Sequence, residues 1–331
     1  MIRLHAMLFS VLLLLPSSFA AAQQATIYNA PVDTLRMNQI QVIGTHNSYH
    51  QRPPDAIMKL AYAINPKASA WDYSHAPLDV QLERGVRSFE LDIHYTADGF
   101  RVFHAPLDMG TSCERLIECM TTVRAWSAAN PDHVPISFLL EGKTEALLLD
   151  PDIFPLDAEG LDVLDSEIRS VFDEDMLITP DVIRGGSPTL ESAVLERGWP
   201  LLDDVRGMVM FILHERGRER DLYAKNRPSL EGRAMFVNSS RGRPDAAVIV
   251  HDRPDPDSIA KLVRQGYYVR TRADTNIRAA PDRLSRALRS GAHIITTDFP
   301  PGEADKDSGY VVRFEGEAPA RLNPVNRPVT E

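Results

Sequence analysis

The chain has 331 residues, with 36 Lys and Arg against 46 Asp and Glu, and a formal net charge of −10. This acidic balance argues against a nucleic-acid-binding protein, because such a protein needs basic surface to neutralise phosphates. Hydrophobic residues make up 44% and charged residues 25%, which are ordinary globular proportions and exclude a disordered chain. One large domain of the α/β-barrel type fits this length.

The first 22 residues have the pattern of a secretory signal peptide. Arg3 precedes the apolar run Met7–Leu15, and the small residues Ala20–Ala22 provide a cleavage site. The apolar run is far shorter than the ~20 residues that a membrane-spanning helix needs, so a membrane anchor is the weaker interpretation. We therefore expect an exported protein, periplasmic or secreted, with cleavage near Ala22.

The sequence contains two cysteines, Cys113 and Cys119. In an oxidising compartment such a pair favours a disulfide, and the alternative is two free, partly buried thiols. A zinc site is excluded because no further Cys or His stands at ligand spacing.

Apolar, β-rich runs alternate with amphipathic helical patterns along most of the chain. The predicted strands are Ile40–Gly44, Val86–Ile93, Phe100–His104, Ile136–Glu141, Val209–Leu213, Met235–Val237, Val248–Val250, Tyr267–Val269 and Ile294–Thr297. The predicted helices are Leu78–Arg84, Cys113–Ala129, Leu161–Phe172, Leu190–Arg197, Asp257–Arg264 and Pro281–Ser290. Near-continuous apolar strands that alternate with helices indicate a parallel sheet covered by helices.

About eight such strands favour an α/β fold of the (β/α)₈ TIM-like barrel type over an open doubly wound sheet. No G-x-G-x-x-G motif follows an early strand, which argues against a dinucleotide-binding fold. We expect the barrel to occupy residues 23–300 and an irregular C-terminal tail to follow over residues 301–331. The stretch Thr144–Leu156 is predicted to be a long loop on the side where the strands end.

Oxygen-bearing side chains stand where the predicted strands end, which is where barrels of this type carry their function. Glu90 and Asp92 are two residues apart on one strand, so they point to one face, and two buried carboxylates need compensation. Together with Asn47 and Glu141 they form an all-oxygen set suited to a hard cation, Ca²⁺ or Mg²⁺. The alternative is that the acids pair with nearby cationic side chains: Arg84, Arg87, Arg101 or Lys143.

Two histidines, His46 and His104, end strands close to these acids. Imidazoles that flank a metal can act as general base and general acid at neutral pH, although a lone histidine is more often a packed or surface residue. Asp298 ends the last strand, which barrel closure places beside the first. It can therefore orient His46 through a ring N–H, and the alternative is a helix cap or a surface acid.

Cationic side chains at other strand ends offer a place for an anionic substrate. Three carboxylates exceed the charge of a divalent cation, so an anion bound there needs further positive charge. Lys143, Arg270 and Arg272 can hold a phosphate. The alternative for each is a surface ion pair, which contributes little to stability.

The segments GTHNSY, FELDIH, VFHAP and FLLEGK, in this order and spacing, resemble the calcium-dependent phosphoinositide phospholipase C family of bacteria. They are also similar to the X region of eukaryotic phosphoinositide phospholipases C. The resemblance covers Gln39 to Asp298 and is strongest over Gln39–Lys143. It implies a PLC-like phosphodiesterase barrel that uses Ca²⁺, with Mg²⁺ as the less favoured ion.

The resemblance also implies roles for individual residues. His46 and His104 match the two catalytic histidines of the family. Its calcium ligands match Asn47, Glu90, Asp92 and Glu141. The implied reaction is attack of the inositol 2-hydroxyl on the phosphodiester, giving a cyclic phosphate that water then opens. His46 would stabilise the equatorial phosphate oxygens, and His104 would protonate the leaving alcohol.

The substrate is expected to be a phospholipid or its deacylated headgroup, with transient contact to a membrane surface and neither a nucleic acid nor a protein partner. The acidic net charge makes a soluble glycerophosphodiester conceivable, because enzymes of anionic bilayers usually present basic surface. One alternative is a glycerophosphodiester phosphodiesterase or a sphingomyelinase-D-like enzyme. Another is a non-catalytic barrel that binds inositol phosphates or lipids, against which the presence of both His46 and His104 argues.

Overall fold

The structure is a computed structural model that describes residues 34–143 and 150–327. The predicted signal peptide lies outside these residues, as does the first part of the predicted loop after Lys143. The strands are β1 (Ile40–Thr45), β2 (Val86–Thr96), β3 (Gly99–Val102), β4 (Ile136–Gly142), β5 (Ile153–Phe154), β6 (Val209–Leu213), β7 (Met235–Val237), β8 (Val248–Val250), β9 (Tyr268–Arg272), β10 (Ile294–Thr297) and β11 (Ala320–Leu322). The helices are α1 (Asp55–Ile64), α2 (Leu78–Glu83), α3 (Leu116–Ala129), α4 (Ala158–Val171), α5 (Pro180–Arg184), α6 (Leu190–Ser192), α7 (Arg218–Tyr223), α8 (Pro256–Gln265) and α9 (Pro281–Ser290).

A parallel barrel forms the centre of the molecule. Its strands run in the order β7-β6-β4-β2-β1-β10-β9-β8, and each neighbouring pair is parallel. A parallel bridge between Asn238 and Val248 joins β7 to β8 and completes the ring. The predicted (β/α)₈ fold is confirmed.

The strand register brings the ends of distant sequence segments to one mouth of the barrel. Asp92 on β2 is paired with Glu141 on β4, and Thr45 on β1 is paired with Thr297 on β10. Because all eight barrel strands are parallel, the residues that follow them lie on the same side. His46 and Asp298, one position beyond the latter pair, are therefore neighbours.

Aromatic side chains pack between neighbouring strands of the barrel. Phe138 on β4 stacks on Phe211 of β6 with ring centroids 4.7 Å apart, and Phe89 on β2 lies 5.9 Å from Phe138. All three rings are fully buried. Stacked and tilted aromatic pairs of this kind stabilise the pairing of neighbouring strands. The disulfide between Cys113 and Cys119 is present. It joins the segment just before α3, which contains Cys113, to the first turn of α3, which contains Cys119.

The segment after residue 300, expected to be irregular, contributes a strand to the sheet. β11 pairs antiparallel with β1, with Leu322 opposite Ile40. Because β2 starts to pair with β1 only at Ile43, the first residues of β1 have a free edge, which β11 occupies. Three residues near several prolines give too short a pattern to predict a strand.

Three helices were not predicted from the sequence: α1, α5 and α7. α5 and α7 are short, and α1 follows the two prolines at Pro53 and Pro54, which mark a turn. Among the described residues, no helix combines the length and the apolar character that crossing a membrane requires.

Candidate active site

A cavity of about 280 Å³ opens at the mouth of the barrel. Its lining includes five of the residues singled out in the sequence: His46, Asn47, His104, Arg272 and Asp298. The remaining predicted site residues, Glu90, Asp92, Glu141, Lys143 and Arg270, lie outside this lining. Segments from the loops after β1, β3 and β9 complete the wall.

His46 follows β1 and faces Asp298. Nδ1 of His46 lies 2.9 Å from Oδ1 of Asp298, the contact expected from barrel closure. Asp298 also accepts hydrogen bonds from Arg272 at 3.1 Å and from the Ile277 amide at 2.9 Å. Burial would raise the pKa of Asp298, but His46 and Arg272 outweigh it and lower that pKa. A charged Asp298 therefore receives the Nδ1 proton of His46.

The other ring nitrogen of His46 is free to act as a base. Burial and the neighbouring Arg272 lower the pKa of His46, which favours the neutral ring. With the proton on Nδ1, the lone pair lies on Nε2, which is 3.7 Å from a Glu90 oxygen. This arrangement provides a proton acceptor at the cavity wall.

The backbone of His46 is held by a residue that sequence reasoning missed. Nε2 of His75 donates to the His46 carbonyl oxygen at 3.1 Å, and Nδ1 of His75 lies 2.6 Å from Oε2 of Glu303. Glu303 also accepts from the Ala76 amide at 2.8 Å. His75 and Glu303 lie in irregular segments, so strand periodicity gave no signal for either.

His104, in the loop after β3, has its own carboxylate partner. Nδ1 of His104 lies 2.7 Å from Oδ2 of Asp108, which is fully buried. Burial would lower the pKa of His104, but the bond to Asp108 outweighs it and raises that pKa. The two histidines are therefore shifted in opposite directions. Asp108 was not predicted, since nothing but its spacing of four residues from His104 marks it.

The predicted metal-ligating acids lie beside cationic side chains. Arg270 contacts Glu90, and although burial opposes the shift, this guanidinium lowers the pKa of Glu90 to about 2. Lys143 lies 2.7 Å from Glu141 and 3.4 Å from Oδ2 of Asp92. Burial raises the pKa of Asp92 to about 7, although Lys143 opposes the shift.

The predicted metal ligands are all oxygen donors, the type that a hard cation prefers, and one of them is a buried carboxylate without a hydrogen bond. Across residues 34–143 and 150–327, no three His, Cys, Asp or Glu side chains are grouped closely enough to hold a metal ion. Yet both carboxylate oxygens of Asp92 are buried and accept no hydrogen bond. This buried carboxylate, which pairs only with Lys143 at 3.4 Å in the contacts above, forms with the oxygens of Glu90, Glu141 and Asn47 a donor set of the type that a calcium ion takes.

The three predicted phosphate-binding cations differ in position. Arg272 lines the cavity, whereas Arg270 is fully buried and contacts Glu90 and Asp252. Lys143 is occupied by the two carboxylates described above. A further cation, Lys67, lines the cavity from the segment after α1, and no motif in the sequence pointed to it.

The parallel barrel with polar side chains gathered at the mouth where its strands end defines the chain as a TIM-barrel protein of the kind that carries an active site there. The family model described as phosphoinositide phospholipase C, Ca²⁺-dependent, matches residues 35–99 and 94–324. The chain therefore belongs to the calcium-dependent phosphoinositide phospholipase C family, as the sequence motifs indicated.

Solved structures of similar fold include two bacterial enzymes. A calcium-dependent phosphoinositol-specific phospholipase C from Pseudomonas sp. aligns with a TM-score of 0.59 and 17% identity over 87% of this chain and 95% of that chain. A Ca²⁺-dependent phosphatidylinositol-specific phospholipase C from Streptomyces antibioticus aligns with a TM-score of 0.56 and 19% identity over 80% and 95%. At these identities the likeness concerns the fold. A comparison with curated protein sequences gives no match.

Proposed function

We propose that this chain is an exported, calcium-dependent phosphodiesterase that cleaves phosphoinositide or glycerophosphoinositol-type phosphodiesters through a cyclic phosphate. One observation carries the proposal. His46 and His104 line the same cavity, and each binds a buried carboxylate through Nδ1, at 2.9 and 2.7 Å. Family membership supports the substrate class.

The opposite pKa shifts of the two histidines suggest their roles. His46, whose pKa is lowered, accepts the proton of the inositol 2-hydroxyl at Nε2 as that oxygen forms its bond to phosphorus. His104, whose pKa is raised, donates its Nε2 proton to the alcohol oxygen as the second P–O bond breaks. For His46 the lowered pKa favours a base over the donor to equatorial oxygens that the family resemblance implied, because a neutral ring with its proton on Nδ1 has a lone pair and no hydrogen on Nε2.

A calcium ion would be held by the oxygen atoms of Asn47, Glu90, Asp92 and Glu141. When bound, it supplies positive charge that stabilises the negative charge developing on the phosphate. Arg272, which lines the cavity, binds a phosphate oxygen, and Lys67, in the segment after α1, adds positive charge to the lining. We assign no phosphate contact to Arg270 or Lys143.

Exposed apolar side chains support contact with a lipid surface. Leu60 and Ile64 project from α1, whose following residues line the cavity. Leu107 and Met109 are exposed on either side of cavity-lining Asp108. Apolar side chains placed on the rim of a cavity fit a substrate presented by a membrane better than one free in solution. The acidic net charge of −10 favours weakly charged over strongly anionic bilayers.

Product analysis tests the function. We expect the purified enzyme with Ca²⁺ to release inositol cyclic phosphate from phosphatidylinositol vesicles or from glycerophosphoinositol, and a chelator to abolish turnover. Release of glycerol phosphate instead would indicate a glycerophosphodiester phosphodiesterase. His46→Ala and His104→Ala should each lower kcat by about 10²–10⁴, whereas His251→Ala, outside the cavity lining, should not. Unchanged turnover in the first two variants would place catalysis outside this histidine pair, and a wild-type protein that binds but does not cleave these substrates would be a binding barrel.

Two further measurements address the membrane and export. Leu60→Ser with Ile64→Ser should weaken vesicle turnover but not turnover of the soluble headgroup diester. Val182→Ser, at another exposed apolar position, is the matched control. Export is supported by the signal-peptide pattern and by the Cys113–Cys119 disulfide. Sequencing the amino terminus of protein recovered from the periplasm or medium should find cleavage near Ala22.

A further inference from the structure

A chain of hydrogen bonds runs inward from His104 through a buried carboxylate to a second histidine. Oδ2 of Asp108 lies 2.7 Å from Nδ1 of His104, and Oδ1 lies 2.9 Å from Nε2 of His50. Asp108 and His50 are both fully buried. Each oxygen of Asp108 is therefore taken by one imidazole N–H, and the carboxylate joins the loop after β3 to the loop after β1.

His50 is itself fixed in place. Its Nδ1 lies 3.1 Å from the Tyr73 carbonyl oxygen, and its ring stacks on the Tyr73 ring with centroids 4.1 Å apart. Its amide donates to the Asn47 carbonyl oxygen at 2.9 Å. The backbone around Asp108 is equally constrained, because Asp108 and Ala105 bond to one another through both amides, at 2.9 and 3.2 Å. Asp108 is therefore held from two sides.

We propose that Asp108, supported by His50, is a positioning residue that keeps the Nδ1 proton of His104 in place and directs Nε2 of His104 toward the leaving oxygen. This inference rests on the proposed function and concerns a residue that takes no part in bond making itself. A proton fixed on Nδ1 means that the proton transferred comes from Nε2. The ring left behind is neutral and still bonded to Asp108.

A purely structural role explains the arrangement less well. Burying a carboxylate completely costs free energy that a neutral side chain would avoid. His104 is partly exposed, and its ring has a broad torsional preference about χ2, so packing alone does not fix which nitrogen faces the cavity. Asp108 removes that freedom. Among the described residues, Nε2 of His104 has no hydrogen-bond partner and is available to substrate.

The test compares two leaving groups on one enzyme. An inositol phosphodiester with an alkyl alcohol leaving group needs a general acid, whereas a 4-nitrophenyl ester expels a stable phenolate and depends on it far less. We expect Asp108→Asn to lower kcat about 10²-fold or more for the alkyl diester and less than about tenfold for the nitrophenyl ester. His50→Gln should show the same pattern with a smaller loss.

Asp298→Asn is the matched control, since it disturbs the carboxylate of the other histidine. It should impair both substrates alike, because the attacking hydroxyl must lose its proton in either case. Combining Asp108→Asn with His104→Ala should cost no more than His104→Ala alone, because the two residues act as one unit. Equal losses on both substrates for Asp108→Asn and His50→Gln would overturn the positioning role.

A readout independent of turnover separates this inference from the proposed function. Nitrogen NMR of the free enzyme should show the signal of a protonated Nδ1 in His104. In Asp108→Asn this signal should shift or disappear. If wild-type enzyme cleaves neither inositol substrate, the proposed function fails. If it cleaves both but the His104 tautomer and the leaving-group dependence are unchanged in the variants, the positioning role alone fails. Should Asp108→Asn not fold, His50→Gln decides the question by the same criteria.

Discussion

Glu303, in the segment that follows the last barrel strand, lies 2.6 Å from Nδ1 of His75. The opposite nitrogen of that ring donates to the His46 carbonyl oxygen at 3.1 Å. The segment expected to be a peripheral tail therefore supports the loop that carries a candidate catalytic histidine. It does so from the side of the barrel mouth, while β11 covers the first half of β1 at the other end.

Glu303→Gln should weaken both stability and turnover. A charge-assisted hydrogen bond to a buried histidine contributes about 1.5–3 kcal/mol, and we expect a loss of that order in the free energy of unfolding. kcat should fall because the His46 backbone loses an anchor. Denaturant unfolding and steady-state kinetics measure the two effects. Glu315→Gln, at an exposed position of the same segment, should change neither.

Equal unfolding free energies and equal kcat values for Glu303→Gln and Glu315→Gln would contradict the support role of Glu303. A loss of stability without any change in kcat would show that His75 holds the segment in place but does not position His46.

The parts of the site that lie on strands could be predicted from the sequence. Glu90 and Asp92 alternate with apolar residues on β2, and Asp298 directly follows β10, so parallel strands of known direction fix which end they share. The neighbour relation of His46 and Asp298 followed from barrel closure alone. Strand geometry is regular enough to carry such predictions over 250 residues of sequence separation.

The supporting residues could not be predicted, because loops have no period. Asp108, His75 and Glu303 gain their partners through backbone turns that the sequence does not reveal, such as the left-handed conformation of Leu107 (φ 72°). Strand alternation also could not predict that only one of Arg270 and Arg272 lines the cavity. Both point to one face of β9, but only Arg272 lies far enough toward the mouth to line the cavity.

Asp92→Asn should abolish the effect of calcium without destabilising the calcium-free protein. Both oxygens of Asp92 are buried without a hydrogen bond, so removing the charge relieves a desolvation cost. In wild-type protein, Ca²⁺ at 100 times its Kd should add about 2.7 kcal/mol of stability, seen as a rise in Tm. In the variant this rise should vanish, together with calcium-dependent turnover.

Asp98→Asn is the control for this experiment, because Asp98 is an exposed acid in the turn after the same strand. It should keep the full calcium-induced rise in Tm. Calcium-dependent turnover that survives in Asp92→Asn would place the ion elsewhere. A variant much less stable than wild type without calcium would show that Lys143 already compensates the buried charge.

Gly44→Ala should destabilise the barrel where β1 meets β2. A Cβ at Gly44 would lie 2.8 Å from the Ser88 Cβ and 3.2 Å from the Ile294 Cγ2, and both neighbours belong to strands that cannot move apart freely. We expect the free energy of unfolding to fall by about 1–3 kcal/mol. Adding Ser88→Gly should restore part of it. Gly186→Ala, where no atom lies within 4 Å, should be close to neutral; equal losses in both alanine variants would contradict the steric account.

The buried His293, which directly precedes β10, should cause the free energy of unfolding to fall in mild acid. Nδ1 of His293 accepts a hydrogen bond from the Val269 amide at 2.9 Å, and Nε2 donates to the Asn38 carbonyl oxygen at 2.8 Å, so the buried ring must stay neutral. Burial accordingly lowers its pKa from 6.5 to about 3. The unfolded chain binds this proton first, so the contribution is complete above about pH 6.5 and declines as the pH falls toward 3.

Between pH 7 and 5 the decline amounts to about 2 kcal/mol. His293→Gln removes the titrating group, so its free energy of unfolding should fall less than that of wild type over this range, even if the variant starts less stable at pH 7. Urea unfolding at pH 7, 6 and 5, with calcium held constant, measures the difference. His251→Gln alters a half-exposed histidine and should keep the wild-type slope. Parallel slopes for wild type and His293→Gln would mean that His293 is protonated in the folded protein, at odds with its donor and acceptor pattern.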